Sequence, residues 1–344
     1  MITTTSDEVL ILRGFEVSSL LNGQEQVLIE IVQRAYQAHA SGASSLPHST
    51  FLRFPQDEGN RIIALPAYLG QEFGVAGVKW VSSFPGNLNQ GIDRASAVVI
   101  LNSPQTGRPQ AILEGSIISA KRTAASAALA AKVFHNGRQR TNLGVVGTGL
   151  INFEIVKSLV AGGPKFQTIV ALDIDHERAE QFKRKCLENF RQIDVCIESD
   201  INNVLKRCSL LSFATTAARP YVADLSACPE NTTILHVSLR DLSPEVILKS
   251  DNVADDIDHV CRAKTSLHLA EQLAGHRDFI RCNLADVLGG VEPVRKNGKP
   301  VVFSPFGLGV LDLAVGKHAY DFALERGLGT SIGQFLPASW IEQN

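Results

Sequence analysis

The chain has 344 residues, 44% of them hydrophobic, more than one core normally holds, so two domains are expected. A formal net charge of -2 leaves no electrostatic footprint for nucleic acid or an anionic membrane surface. The opening "MITTTSDEVLILRG" has neither a basic start nor a long apolar stretch, so no signal peptide is expected.

No apolar run reaches the roughly eighteen residues a membrane span needs, and the sequence reads as that of a cytoplasmic protein. The six cysteines all fall in the second half without a C-x-x-C pair. They are expected as reduced thiols used in packing, not as disulfides or a metal site.

The first predicted element is a helix from about Gln24 to Ala40, with Val27, Leu28, Ile31, Val32 and Tyr36 at helical spacing. Short strands follow at 51–54, 61–66, 75–82, 97–102 and 109–115, separated by "PQDEGN", "SFPGNLNQGIDRA" and "SPQTGR". Turn residues between short alternating runs favour antiparallel hairpins. A small-residue helix, "SIISAKRTAASAALAAKVF", is expected over 116–134.

Four cations lie in or beside these apolar segments: Arg53, Arg61, Lys79 and Arg122. Lys79 shares a strand face with Val75, Gly77 and Val81 under period-two alternation. Pattern alone allows an edge-strand lysine that blocks aggregation, a snorkelling side chain or a chemical role. Arg122 sits in a helix otherwise built for burial and cannot shed its charge, so it needs an anionic partner. Glu114 or an anionic ligand would serve.

From Thr141 strand and helix alternate, which argues for a parallel sheet covered on both faces. The predicted strands are "NLGVVG", "TIVALD", "IDVCIES", "LLSFATT", "TTILHVS" and "NVADD", with helices at 176–190 and 244–250. From Leu308, "LGVLDLAVGKHAYDFALERG" reads as an amphipathic helix that packs back on the first domain. The expected class is α/β. A Rossmann-type doubly wound domain spans 126–307. An α+β domain with a mostly antiparallel sheet spans 1–125 and is completed by 308–344.

"LGVVGTGLIN" places Gly147 and Gly149 between a strand and a helix, as a dinucleotide loop requires. Asn152 replaces the third glycine of that fingerprint. Asp173 ends the next strand, where a carboxylate accepts hydrogen bonds from a ribose diol and repels a 2′-phosphate, favouring NAD over NADP. Asp241 lies just beyond the end of a later strand, at the sheet edge where ligands collect. Its alternative reading is a helix cap, for which Ser243 is the better candidate. His236 reads as a core histidine.

Taken together, "GVKWVSSFPGN", "AVVILNSPQTGRPQAILEGSIISAKRTAAS", "GVVGTGLI", "HVSLRD" and "FGLGVLDLA" resemble the ornithine cyclodeaminase/mu-crystallin family over nearly the whole chain. The branch most similar is that of NAD-dependent dehydrogenases acting on N-(2-amino-2-carboxyethyl)-L-glutamate in 2,3-diaminopropionate biosynthesis, within siderophore and antibiotic pathways. The resemblance implies that Arg53 and Arg122 bind substrate carboxylates, with Arg61 a further substrate contact. It implies that Lys79 stands at the reacting centre and that Asp241 is the catalytic aspartate facing the nicotinamide. Thr123, Gly147, Thr148, Gly149, Leu150, Asp173, Thr215 and Ser238 are the cofactor contacts it implies, with no metal.

A homodimer formed by the first domain, with the nicotinamide in the interdomain cleft, is also implied. One departure matters: true cyclodeaminases hold the distal amine of ornithine with a glutamate at the position of Ile63. Other expectations within the family are the cyclodeaminase itself, an amino-acid or ketimine dehydrogenase, and a non-catalytic nucleotide binder like mu-crystallin.

Overall fold

The computed structural model describes residues 7–135, 141–291 and 298–337. Two compact units emerge: one joins the chain up to Arg122 with the chain from Leu308, and the other is Thr123–Gly307.

The first unit begins with β1 (Val9–Leu12), α1 (Gly14–Leu21) and α2 (Glu25–Ala40). The sequence reading found α2 but neither of the others. β1 is a four-residue apolar run, too short to show a period, and α1 has no Ser, Thr, Asp or Asn to announce its start. Glu16 instead reaches back to the Arg13 backbone N–H at 2.8 Å, closing the first turn from inside the helix. Then follow β2 (Ser44–Ser45), β3 (Thr50–Phe54), β4 (Asp57–Leu69), β5 (Val75–Ser83), β6 (Ala95–Asn102), β7 (Pro109–Glu114) and α3 (Gly115–Phe134). Hairpin pairing runs β4–β5–β6–β7, all antiparallel. β1 pairs parallel with β7, so the sheet is mixed.

β5 lies in the middle of that sheet, between β4 and β6, so the edge-strand reading of Lys79 is wrong. Its register sets Lys79 opposite Leu65 and Val99, and the side chain is 2% exposed, which also rules out snorkelling. Lys79 is an inward-facing central-strand lysine.

In the second unit the chain runs β8 (Thr141–Val146), α4 (Leu150–Gly162), β9 (Phe166–Leu172), α5 (His176–Asn189), β10 (Asp194–Ile197), α6 (Ile201–Arg207), β11 (Leu210–Phe213) and β12 (Thr233–His236). It continues with α7 (Pro244–Lys249), β13 (Asp251–Ala254), α8 (Ile257–Val260), α9 (Ser266–Ala274), β14 (Ile280–Asn283), α10 (Leu284–Leu288) and β15 (Val301–Ser304). All its strands are parallel, in the order β10-β9-β8-β11-β12-β15-β13-β14. The order reverses beside β8, so the loops after β8 and β11 flank the switch point where ligands of such sheets bind. β14 and β15 escaped the sequence reading, because four residues carry no usable period and β14 also contains Arg281 and Asn283.

The chain returns to the first unit as α11 (Gly309–Arg326) and β16 (Thr330–Ile332). α11 lies against β4, β5, β6 and α2. Its residues from Gly309 to Gly316 are all buried, so it is a core helix over that span, not the amphipathic one expected. Gly309 permits the close approach: a Cβ there would stand 2.9 Å from the Leu65 carbonyl oxygen.

Candidate active site

In the first unit, Lys79 (β5) and Arg122 (α3) converge on one carboxylate that the sequence reading missed. Asp312 of α11 is fully buried. Its Oδ2 lies 2.7 Å from Lys79 Nζ, and its Oδ1 accepts from Arg122 Nε at 2.9 Å. Ser119, one turn before Arg122, accepts from Lys79 Nζ at 3.1 Å and from Arg122 Nη2 at 3.5 Å. Glu114 is not the partner of Arg122. Its carboxylate is taken by the backbone N–H groups of Ser116 and Ile117 and by the Ser116 hydroxyl, at the start of α3.

Burial lowers the Lys79 pKa first and the Arg122 charge lowers it further. Asp312 pulls it partly back, to about 8. A lysine so placed is divided between its two protonation states near neutral pH, the condition for moving protons in either direction.

Arg53 and Arg61 lie directly opposite each other on β3 and β4, and Arg61 faces Ser83 on β5. By register they share the sheet face of Lys79, toward its far end. Arg53 is exposed and its guanidinium sits 5.3 Å from the Phe51 ring. Ile63 pairs with Val81 on that same face, between the arginines and Lys79.

In the second unit, Gly147 turns the chain after β8 at φ +85°, and a Cβ there would meet the Ala214 carbonyl oxygen at 2.6 Å. Only glycine fits both demands. Gly149 is the N-cap of α4 and offers no side-chain cap, which leaves N–H groups of the first turn for an anion. Leu150, first in α4, is exposed.

Asn152 does more than lose a glycine. Its Nδ2 donates to the Val146 and Gly147 carbonyls, and its Oδ1 accepts from Ser212 Oγ, which fixes the turn. Asp173 Oδ2 accepts from both Thr148 N–H and Oγ1, at 2.7 and 2.8 Å, and Oδ1 accepts from Asp175 N–H. The carboxylate at the end of β9 thus also braces the glycine turn. Thr123, beside Arg122 on α3, is half-buried.

Asp241 follows β12 and is fully buried. Oδ1 accepts from Thr215 Oγ1 at 2.5 Å and Tyr221 Oη at 3.1 Å. Oδ2 accepts from Ser238 Oγ and lies 3.3 Å from His236 Nε2. Thr215 and Ser238, expected as cofactor contacts, are therefore donors to Asp241 here. Burial works to raise the Asp241 carboxyl. The hydrogen bond and charge of His236, with Ser238 and Thr215, outweigh it and hold the pKa at about 2.

His236 is in the core, as expected, yet it also orients Asp241. Tyr221 was missed; burial and then the Asp241 charge raise its phenol. Ser243, not Asp241, caps α7, accepting from Val246 N–H.

A family model described as "Ornithine cyclodeaminase/mu-crystallin family" matches residues 8–327. N-((2S)-2-amino-2-carboxyethyl)-L-glutamate dehydrogenase of Staphylococcus aureus is 25% identical, over 95% of this chain and 99% of its own. Among solved structures, Thermococcus litoralis Δ(1)-pyrroline-2-carboxylate reductase in complex with NADH and L-proline superposes with a TM-score of 0.87. It is 26% identical, over 94% of this chain and 100% of its own. An archaeal alanine dehydrogenase dimer with bound NAD gives a TM-score of 0.84 at 27% identity, over 95% and 100%.

Proposed function

This chain belongs to the ornithine cyclodeaminase/mu-crystallin family, and on that footing we propose that it is an NAD-dependent oxidoreductase that cleaves N-(2-amino-2-carboxyethyl)-L-glutamate to 2-oxoglutarate and 2,3-diaminopropionate. The observation that carries the reading is the buried Lys79, with its pKa near 8, on a sheet face where Ile63 offers nothing to a cationic tail. The Staphylococcus aureus relative, similar over the full length, bears the name of this activity. Ornithine would bring its distal ammonium against Ile63 and Val81, which disfavours cyclodeamination.

The second unit fits the dinucleotide. Gly147 leaves no room for a side chain, the α4 N-terminus suits a pyrophosphate, and Asp173 suits a ribose diol. NAD, when bound, supplies the oxidising power by accepting the hydride that leaves the glutamate α-carbon. Thr148 and Leu150 complete the loop, and Thr123 is a further contact. Replacing Asp173 with Ser should weaken NADH binding about tenfold, roughly 1.4 kcal/mol, and narrow the preference over NADPH, as read by fluorescence titration.

The substrate is a secondary amine. Its oxidation removes one hydride from carbon and one proton from nitrogen, leaving an imine. Water adds to the imine carbon and the carbinolamine C–N bond breaks, so one substrate and one water give the two products with one NADH and one proton. Neutral Lys79 takes the amine proton and, once protonated, returns one to the departing nitrogen. Arg122 is held through Nε by Asp312 and through Nη2 by Ser119, which leaves Nη1 to reach a carboxylate. Arg53 serves a further carboxylate.

Asp241 stays ionised at any working pH, and a carboxylate with a pKa of about 2 is a weak base. Its role is to order Thr215, Ser238 and Tyr221 as a fixed negative charge in the second unit. Purified protein given NAD⁺ and this substrate should yield NADH, 2-oxoglutarate and 2,3-diaminopropionate in equal amounts. Conversion of ornithine to proline, with no NADH from the glutamate adduct, would overturn the assignment.

The outer face of the first unit's sheet supports a homodimer. Leu52, Tyr68, Trp80 and Val98 are exposed there, with Trp80 directly opposite Val98. An apolar sheet face of this kind marks an interaction surface, and a relative of similar structure is a dimer. Replacing both Trp80 and Val98 with Glu should shift the protein from dimer to monomer in light scattering.

A further inference from the structure

We propose that Arg178, on α5, clamps the pyrophosphate of NAD together with the N-terminus of α4. The inference rests on the dinucleotide reading of the second unit and not on the choice of substrate. It names a cofactor residue that the sequence did not single out.

The placement follows from strand order. β8 and β9 are adjacent and parallel, so α4 and α5, which follow them, begin side by side at one edge of the sheet. Arg178 lies in the first turn of α5, where its backbone N–H donates to the Asp175 carboxylate at 3.3 Å. Its side chain is aimed at the neighbouring helix: Nη2 stands 3.7 Å from the point that a Cβ of Gly149 would occupy. Gly149 is the N-cap of α4, and it holds the place of the glycine that lets a pyrophosphate approach the backbone.

Nothing inside the protein accounts for a cation at that point. The positive end of a helix dipole repels a guanidinium. α4 has no capping side chain, and among the described residues the N–H groups of Leu150, Ile151 and Asn152 have no acceptor. On its own helix Arg178 faces Ile174, Asp175, Gln181 and Phe182 at three- and four-residue spacing. The one acid among them, Asp175, spends its Oδ1 on the N–H groups of Glu177 and Arg178. Asp173 is engaged by Thr148 and by Asp175 N–H. Among the described residues no carboxylate lies within ion-pair distance of the Arg178 guanidinium. The residue is exposed, so it keeps its charge at little cost and stays accessible to a ligand.

The surroundings state the ligand chemistry. Backbone N–H groups and a planar, permanently charged fork border one glycine, which suits a diphosphate. A 2′-phosphate would lie at the ribose instead, where Asp173 repels it.

The test uses the full chain without substrate. NADH and NADPH are titrated by fluorescence, and ADP by competition with NADH. Arg178→Gln should weaken all three by a similar factor, about tenfold, as expected for loss of a charge-assisted contact. Arg178→Lys should keep part of the affinity, because it keeps the charge but not the fork. Added salt should weaken NADH more steeply in wild type than in Arg178→Gln. Without nucleotide the two proteins should unfold at the same temperature, since Arg178 has no partner to lose. NADH should raise the wild-type midpoint further than that of the variant.

An NADH affinity in Arg178→Gln within about twofold of wild type would overturn the clamp. A loss confined to NADPH would also overturn it, by placing the guanidinium at a 2′-phosphate. So would a lowered midpoint of the nucleotide-free variant, which would make Arg178 structural. If wild type binds neither dinucleotide, the cofactor reading itself falls. If wild type binds NADH and Arg178→Gln binds it equally, only the clamp falls.

Discussion

Lys79→Met should cost roughly 10³-fold in kcat/KM, within the range for loss of a positioned acid/base group, while leaving NADH affinity within about twofold. Methionine fills a similar volume, and Asp312 keeps its bond to Arg122, so the fold should survive. The pH profile gives the finer reading. Lys79 is protonated below its pKa of about 8 and neutral above it. Oxidation of the amine needs the neutral form, so wild-type kcat/KM should rise with pH and level off above about 8. Residual activity in Lys79→Met should lack that rise. A profile that keeps it would assign the proton transfer to another group.

The second large effect falls on stability. Asp312→Asn removes the carboxylate that, among the described residues, pairs with two cations whose side chains are 3% and 9% exposed. Breaking a buried ion pair from one side typically costs about 3–5 kcal/mol, because the charge left behind stays buried. Chemical denaturation at pH 7 should show a loss of that size.

The pH dependence has a definite sign. In wild type the folded Lys79 pKa, about 8, lies below the ordinary lysine value of 10.5, so the unfolded chain binds more protons between these values and stability rises with pH across that window. Without Asp312 the folded pKa falls further, and the rise begins at lower pH. The deficit of the variant should therefore shrink as pH climbs toward 8 and then stay constant. A deficit that grows over that range would mean that Asp312 does not stabilise the lysine charge.

What could be read from the sequence was local. Gly147, Gly149 and Asp173 announce themselves because strand, turn, helix, strand and acid follow at fixed spacing. Ser243 is legible as a cap because its partner is three residues away. Asp312 was not legible, since it lies 190 residues from Arg122 and nothing near it on α11 marks it as a partner. The fully buried stretch around it also hid the charge inside what read as an amphipathic helix.

β15 was missed because it enters between β12 and β13, a crossover that four apolar residues cannot signal. Lys79 shows the limit most clearly: alternation gave its face, and only its central position in the sheet decided between guard and reactant.

The central claim is that a hydride leaves the glutamate α-carbon. Its most direct test is single turnover with N-(2-amino-2-carboxyethyl)-L-glutamate carrying deuterium only at that carbon. One deuterium per turnover should appear in the NADH, none in the 2,3-diaminopropionate, and unlabelled 2-oxoglutarate should be released. NADH formed without deuterium, or label retained in the amine product, would contradict it.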